Sequence, residues 1–198
     1  MKTLFAVLLV ALLSACTTVA TKKIASGENT IGERLQVNIE GPWNYISAPN
    51  MGPAQIWTME GLPVDQLRIY SGIKDGEVIH DTRNTNLKSF SFRSNMQSDE
   101  LISMFEGMLT RDGSTFQLTK AEPASFGGGK GVRFEYTLVT KEDNLPLTGV
   151  GFAAVNNGEL FALLYNAPRL GFFPRHQARV EQIARSAKIV GTPVAAKN

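Results

Sequence analysis

The chain has 198 residues, enough for one ordinary domain with a sizeable hydrophobic core. Its 20 Lys and Arg residues nearly balance its 18 Asp and Glu residues, and this formal net charge of +2 gives no sign of a nucleic-acid-binding surface. Cys16 is the only cysteine, which excludes disulfides within the domain and cysteine nucleophiles after it.

The first sixteen residues have the three parts of a secretory signal. Lys2 is a charged start, residues 4–13 form an apolar run too short to span a bilayer, and small residues precede Cys16. The sequence Leu13-Ser14-Ala15-Cys16 resembles the lipobox of bacterial lipoproteins. This resemblance implies that residues 1–15 are a signal peptide that is removed. It also implies that Cys16 then carries a diacylglyceryl group and a further acyl chain such as palmitate. An unrelated cysteine near an ordinary cleavage site is the alternative.

The residues after the lipobox predict where the protein is held. Position 17 is Thr and not the Asp that retains lipoproteins in the inner membrane, so the resemblance implies a lipid anchor in the periplasmic face of the outer membrane. Residues 16–33 contain the lipidated cysteine and a polar segment with little apolar periodicity. We interpret them as a flexible tether that reaches about 20 to 25 Å. Lys22 and Lys23 either contact anionic headgroups or remain solvated.

Residues 34–190 are predicted to form a single domain, followed by a C-terminal tail over residues 191–198. Residues 35–39 alternate apolar and polar side chains as a half-buried strand does. Trp43 and Tyr45 come just after its end, where aromatic side chains usually cover an edge of the core; a binding platform is the alternative. Residues 55–60 predict a second strand.

Residues 61–85 have the least regular pattern of the domain. Short strands at 67–71 and 78–80 are expected to form a hairpin across Asp75-Gly76. The polar residues 81–89 then predict an exposed loop or a loop that contacts a partner, followed by a strand at residues 90–93.

One amphipathic helix is clear in the middle of the chain. Ser98 is its expected N-cap, and acidic residues follow in the first turn. Its apolar stripe, which predicts a helix covering a sheet, consists of Leu101, Ile102, Phe105, Met108 and Leu109. A strand is expected at residues 115–120 and a glycine-rich loop at residues 123–131. This loop lacks the spacing of a phosphate-binding loop.

The remaining pattern alternates strands and turns before a last helix. Arg133 and Glu135 are expected to pair on one face of a strand. Asn157-Gly158 predicts a tight hairpin between residues 148–155 and 160–165, whose apolar run at 161–164 indicates a central strand covered on both faces. The last helix is expected to begin near Pro174. Its buried stripe is predicted to contain His176, Val180, Ile183 and Ala187.

This order predicts an α+β domain in which helices cover an antiparallel sheet. Four features resemble the PsbP-like fold: Gly41-Pro42-Trp43 after the first strand, the helix at Ser98, the hairpin through Gly158, and residues 183–188 at the end. That fold is named for the extrinsic P subunit of photosystem II and is shared by a group of bacterial envelope lipoproteins. The resemblance implies an α/β/α sandwich and carries no catalytic residues to this chain.

No catalytic motif, metal site or cofactor site is predicted. His80-Asp81, with Asp75 and Glu77, is the only cluster that could act as a metal or acid-base site, and a solvated acidic loop is the favoured interpretation. His176 is expected to be a packed or hydrogen-bonded core histidine more often than a ligand. The serines lack the setting of a hydrolase nucleophile. The chain is therefore not expected to be an enzyme.

Two functions remain open. The favoured hypothesis is a noncatalytic envelope lipoprotein that binds another envelope protein or scaffolds an assembly. The candidate contact residues are Trp43, Tyr45, Arg169, Phe172 and Phe173. Their alternative role is to seal the ends of the core. The second hypothesis is a periplasmic carrier of a small molecule or lipid, with a pocket between helix and sheet.

Overall fold

The computed structural model describes residues 20–49, 51–80 and 86–191. The strands in chain order are β1 Ala20–Ile24, β2 Gly27–Ile31, β3 Leu35–Ile39, β4 Trp43–Ser47, β5 Gln55–Thr58, β6 Gln66–Ile73, β7 Thr115–Phe126, β8 Gly129–Val139, β9 Pro146–Asn156, β10 Glu159–Pro168 and β11 Lys188–Ile189. The helices are α1 Ser98–Leu109 and α2 Phe172–Ser186. Within these described residues, neither helix is long and apolar enough to cross a membrane.

The strands form two antiparallel sheets. The large sheet has the order β1-β4-β5-β6-β10-β9-β8-β7, and the small sheet has the order β11-β3-β2. β10 lies inside the large sheet between β6 and β9, and every residue from Glu159 to Ala167 is buried. The prediction of a central strand covered on both faces is therefore confirmed.

Each face of the large sheet carries its own hydrophobic core. α1 covers one face, where its stripe packs on side chains such as Tyr70, Phe134 and Leu164. α2 and the small sheet cover the other face, where Val180 and Ile183 pack with residues such as Leu163. This layered arrangement confirms the predicted α+β class with an antiparallel sheet between helices.

The apolar stripe predicted α1 well, but its cap is one residue earlier. All five stripe residues are buried. The N-cap is Gln97 and not Ser98, because the Gln97 backbone N–H donates to Glu100 Oε2 at 2.7 Å in a capping-box arrangement. α2 begins at Phe172, two residues before Pro174, and His176, Val180 and Ile183 are buried as expected.

Two tight turns connect long strands of the large sheet. Asn157 and Gly158 have φ of 50° and 79°, the left-handed conformation that the predicted hairpin requires. The glycine-rich segment 123–131 was expected to be a loop, and this is wrong: β7 continues to Phe126 and β8 begins at Gly129. Only Gly127 and Gly128 form the turn, because both have positive φ and the flanking residues pair in register.

The predicted hairpin between residues 67–71 and 78–80 is also wrong. Val78 forms an isolated bridge with Ser91, and Ile79 N–H donates to Phe90 O at 3.0 Å. β6 instead pairs with β5 and β10. Because β5 and β10 occupy both sides of β6, residues 78–80 cannot pair with it. Residues 90–93 form no strand beyond the Val78–Ser91 bridge.

Most of the expected flexible tether belongs to the sheets. β1 pairs with β4 along its full length, and β2 pairs with β3, where Ile31 is buried in the core. The polar composition of β1 and β2 concealed these strands, because most of their side chains remain exposed and only Ile24 and Ile31 pack against the core. Residues 16–19 lie outside the described residues.

Candidate functional site

The predicted contact residues converge on one end of the core, but most of their surface is buried. Trp43 is fully buried in β4, and its ring lies 6.4 Å from that of Tyr165. Phe173 is also buried and stacks on Tyr165 at 5.8 Å. Tyr45 is half-buried. Trp43 and Phe173 therefore seal the core, which was the alternative interpretation of these aromatic residues.

The exposed part of this region is the connection between β10 and α2. Arg169 is exposed, and Leu170 is 81% exposed, the most exposed large apolar side chain among the described residues. Phe172 is half-buried, and the Arg175 guanidinium carbon lies 5.2 Å from its ring centroid. We call Arg169, Leu170, Phe172 and Arg175 the β10–α2 patch. It combines apolar and cationic groups, the composition of protein-binding surfaces.

A small polar network supports this patch from below. Glu60 Oε1 accepts a hydrogen bond from Arg175 at 3.0 Å and lies 2.7 Å from His176 Nε2. The hydrogen bond from His176, followed by that from Arg175, lowers the pKa of the Glu60 carboxyl below its ordinary value. His176 is 3% exposed, so the prediction of a hydrogen-bonded core histidine is confirmed.

The acidic cluster near His80 is divided among local turn contacts. The Asp75 carboxylate accepts the Ser94 N–H at 2.7 Å, and Glu77 accepts the Lys74 N–H at 2.9 Å. Asp81 lies outside the described residues, as do Cys16 and the predicted signal peptide. Within the part of the chain that the structure describes, no three His, Cys, Asp or Glu side chains are close enough to hold a metal ion.

A cavity of about 560 Å³ lies between the end of α1 and the large sheet. Its size is that of a typical small-molecule site. Its apolar lining comes from both sides of the opening and consists of Met51, Ala54, Ile56, Leu62, Pro63, Ile79, Leu87, Met108, Leu109, Leu138 and Leu147. We call this cavity the α1 pocket.

Three polar side chains form a cluster on the sheet side of the α1 pocket: Gln66, Arg68 and Asn166. Gln66 on β6 pairs in register with Asn166 on β10, and Arg68 is two residues further along β6 on the same face. Asn166 is 7% exposed, and Arg68 is half-buried. Among the described residues, none of the three side chains has a hydrogen-bond or ion-pair partner.

The surroundings of Arg68 make its missing partner notable. Its direct neighbours across the sheet are Ile56 and Leu164, both buried and apolar. Tyr70 follows on the same face, but its hydroxyl donates to Ile79 O at 3.0 Å, and burial raises its pKa to about 12. A half-buried cation without a counterion is uncommon, because burial of a charge is costly unless it is paired.

The comparisons with known proteins bear on the fold. The chain matches the solution structure of the cyanobacterial PsbP protein CyanoP from Synechocystis sp. PCC 6803 with a TM-score of 0.57 and 13% sequence identity, covering 90% of this chain and 99% of that one. The fold is PsbP-like. The crystal structure of LpqN, which is involved in cell envelope biogenesis of Mycobacterium tuberculosis, also aligns, with a TM-score of 0.45 and 15% identity over 87% of this chain and 92% of LpqN.

The sequence comparisons give no further relatives. No protein-family model matches the chain, and no curated protein matches it. The likeness to CyanoP therefore describes the PsbP-like fold alone, because such folds carry different functions on different sites. The function has to be argued from the β10–α2 patch and the α1 pocket.

Sequence reasoning missed the polar cluster of the α1 pocket. Gln66, Arg68 and Asn166 come from two strands far apart in sequence, and only the pairing of β6 with β10 brings them together. One signal was present: Gln66 and Arg68 occupy alternate positions of a strand whose other face is apolar. That pattern by itself is equally typical of a solvent-exposed face.

Proposed function

We propose that this protein is a lipid-anchored envelope lipoprotein whose noncatalytic domain binds another envelope protein through the β10–α2 patch. The observation that carries the proposal is Leu170, which is 81% exposed at the tip of a connection that is otherwise tied to the core. Leu170 lies beside Arg169, Arg175 and the Phe172 ring, and arginine and aromatic side chains are enriched at protein interfaces.

The patch is held in place before a partner arrives. Arg169 N–H donates to Pro146 O at 3.3 Å, and Phe173 directly below is buried against Tyr165. Arg175 is fixed between the Phe172 ring and Glu60. A preformed surface loses little conformational entropy on binding, which favours affinity. The positive charges predict a partner with acidic groups around an apolar contact.

The proposed lipid anchor rests on the lipobox resemblance at Cys16. The fold limits how far the domain can lie from such an anchor. Since β1 begins at Ala20, the chain from a lipidated Cys16 to the sheet spans at most about 14 Å. This is shorter than the tether that the sequence suggested. The exposed Lys22 and Lys23 in β1 are then close enough to contact anionic headgroups.

Site-specific photo-crosslinking in intact cells tests the protein-binding proposal. The photoreactive amino acid p-benzoyl-phenylalanine replaces Leu170 in one strain. In the control strain it replaces Gln117, an exposed residue of the edge strand β7, which β8 and β9 separate from β10. We expect a discrete crosslinked protein from position 170 only. The same crosslink should fail in a Cys16→Ser strain, because the domain is then released from the membrane.

A charge substitution gives the matched functional control. Leu170→Glu should abolish co-purification of the crosslinked protein, whereas Leu118→Glu, at a leucine that is 43% exposed on β7, should leave it unchanged. Equal crosslinking from both positions, or binding that survives Leu170→Glu, would rule out the β10–α2 patch as the contact surface.

The second candidate function is a carrier of a small molecule, and the α1 pocket is the observation that favours it. The pocket lies between helix and sheet, as that hypothesis required, and its lining combines apolar walls with the unpaired polar cluster. Extraction of the purified protein followed by mass spectrometry tests this function directly. An empty extract from protein that is folded and abundant would count against a carrier.

A further inference from the structure

We infer that the α1 pocket binds a small organic anion with an apolar chain, and that Arg68, Gln66 and Asn166 hold its oxyanion headgroup. This inference rests on the carrier function and specifies the chemical class of the ligand. A carboxylate or a phosphate monoester would satisfy the same three side chains.

The first argument is the unused hydrogen-bonding capacity of the cluster. The Arg68 guanidinium offers five N–H donors, and the amides of Gln66 and Asn166 add two each. Asn166 is 7% exposed, lines the pocket and has no partner among the described residues. The nitrogen and oxygen atoms of the three side chains keep contact with the solvent in the pocket, so their hydrogen-bonding capacity is available to a ligand.

The second argument is geometric. Gln66 and Asn166 face each other across the β6–β10 ladder, where Cβ atoms of paired residues are about 5 Å apart. Arg68 lies next to this pair on the same face, at a diagonal distance that long side chains bridge. The three side chains can therefore contact one headgroup. A planar guanidinium matches the two oxygens of a carboxylate or phosphate in particular.

The third argument concerns charge. The acidic residue that lines the α1 pocket is Asp112, and its Oδ1 accepts the Ser114 N–H at 2.9 Å. No carboxylate of the described residues lies within 4.0 Å of Arg68, in contrast to Arg34 and Arg133, which both have such partners. The guanidinium of Arg68, on the sheet side of the α1 pocket, is therefore available to bind an external anion.

The apolar residues of the α1 pocket determine the size of the apolar chain that the ligand can have. Met108 and Leu109 at the end of α1 and Leu138 and Leu147 of the sheet surround the space beyond the cluster. A cavity of about 560 Å³ accommodates a chain of roughly eight to ten carbons together with its headgroup. The ligand is therefore an amphiphile and not an inorganic ion.

Isothermal titration calorimetry with four probes that carry unbranched chains of similar length tests the inference. The probes are octanoate, octyl phosphate, 1-octanol and octyltrimethylammonium, each below its micelle concentration. The full chain is produced with Cys16→Ser so that no lipid or detergent competes for the pocket. We expect octanoate or octyl phosphate to bind with a Kd of about 1 mM or tighter. The alcohol and the cation should bind at least tenfold more weakly, and the tighter of the two anions identifies the headgroup class.

The variants separate a binding role from a structural one. Arg68→Met should weaken anion binding by roughly 10- to 100-fold, the usual effect of losing charge-assisted hydrogen bonds. It should leave the melting temperature unchanged or higher, because it removes an unpaired half-buried charge. Arg185→Met, at an exposed arginine of α2 across the sheet, is the matched control and should change neither quantity. Asn166→Ala gives a second, uncharged test of the same headgroup contact.

These measurements distinguish failure of the anion-binding inference from failure of the carrier function. Equal binding of octanol and octanoate, or equal effects of Arg68→Met and Arg185→Met, would overturn the anion-binding inference while a carrier of apolar ligands still stands. Binding of none of the four probes would overturn both. Selective anion binding that Arg68→Met and Asn166→Ala each weaken, with the control intact, would establish the inference.

Discussion

The buried ion pair between Arg34 and Glu159 provides the sharpest test of how the two sheets are joined. Arg34 immediately precedes β3 of the small sheet, and Glu159 begins β10 of the large sheet. Their atoms Nη2 and Oε2 are 2.5 Å apart, and the two side chains are 8% and 7% exposed. Arg34 also donates to Val190 O, and its guanidinium carbon lies 5.7 Å from the Phe161 ring centroid. One arginine therefore connects the small sheet, the chain after β11 and the central strand.

Removing one partner of this pair should cost much more than removing both. Glu159→Ala leaves the Arg34 charge buried without its counterion, and such changes typically destabilise a protein by about 3 to 5 kcal/mol. Against a total stability of about 5 to 15 kcal/mol, this is a large fraction. The double variant Arg34→Met/Glu159→Met replaces the pair with apolar groups of similar size, so its stability should be close to that of the unchanged protein.

Urea denaturation followed by circular dichroism measures these differences, and a double-mutant cycle gives the coupling between the two residues. The matched control is the exposed pair of Lys120 and Glu122, whose atoms are 2.8 Å apart with side chains 53% and 40% exposed. Lys120→Ala should cost at most about 1 kcal/mol, and it leaves the contact between Glu122 and Arg133 in place. A loss below about 1 kcal/mol for Glu159→Ala would refute the reasoning, since it would mean that Arg34 reaches water or another partner once Glu159 is gone.

Two further predictions concern packing and acid stability. Gly149→Ala should destabilise the fold by about 1 to 3 kcal/mol in the same assay, because a Cβ there would lie 2.1 Å from Cζ of the Tyr136 ring. A loss below about 0.5 kcal/mol would show that the ring moves aside freely. Glu60 has a lowered pKa in the folded state through His176 and Arg175, so its contribution to stability is fully present above its unfolded pKa and is lost as the pH falls through the folded pKa. Glu60→Gln should therefore flatten the fall in melting temperature between about pH 5 and pH 3, and an unchanged slope would contradict the lowered pKa.

The local elements of the fold were largely predictable because their signals lie within short stretches of sequence. The stripe of α1, the turn at Asn157-Gly158 and the apolar run at residues 161–164 each depend on neighbours a few positions apart. The paired Arg133 and Glu135 were also foreseen, and their atoms Nη2 and Oε1 are 2.7 Å apart. The same arginine reaches Glu181 of α2 at 2.6 Å, a contact that no strand pattern contains.

The failures have a common physical origin. β1 and β2 are polar strands that hydrogen-bond to β4 and β3 while most of their side chains stay in water, so their composition resembles that of a linker. Residues 77–79 pair with residues 90–92 and not with the adjacent strand, because β10 already occupies that edge of β6. Both outcomes depend on which backbone groups are left to pair after the central strands have assembled, which is a property of the whole fold.

The sequence by itself determined the α+β class, the positions of both helices, the main hairpin and the central strand, because periodicity and turn chemistry act locally. It also carries the lipobox resemblance on which the proposed anchoring rests. Only the tertiary structure decided that Trp43 and Phe173 are buried while Leu170 is exposed, since burial depends on which residues pack against a side chain. It alone brought Gln66, Arg68 and Asn166 to one cavity, because their strands are neighbours in the sheet but about a hundred residues apart in the chain.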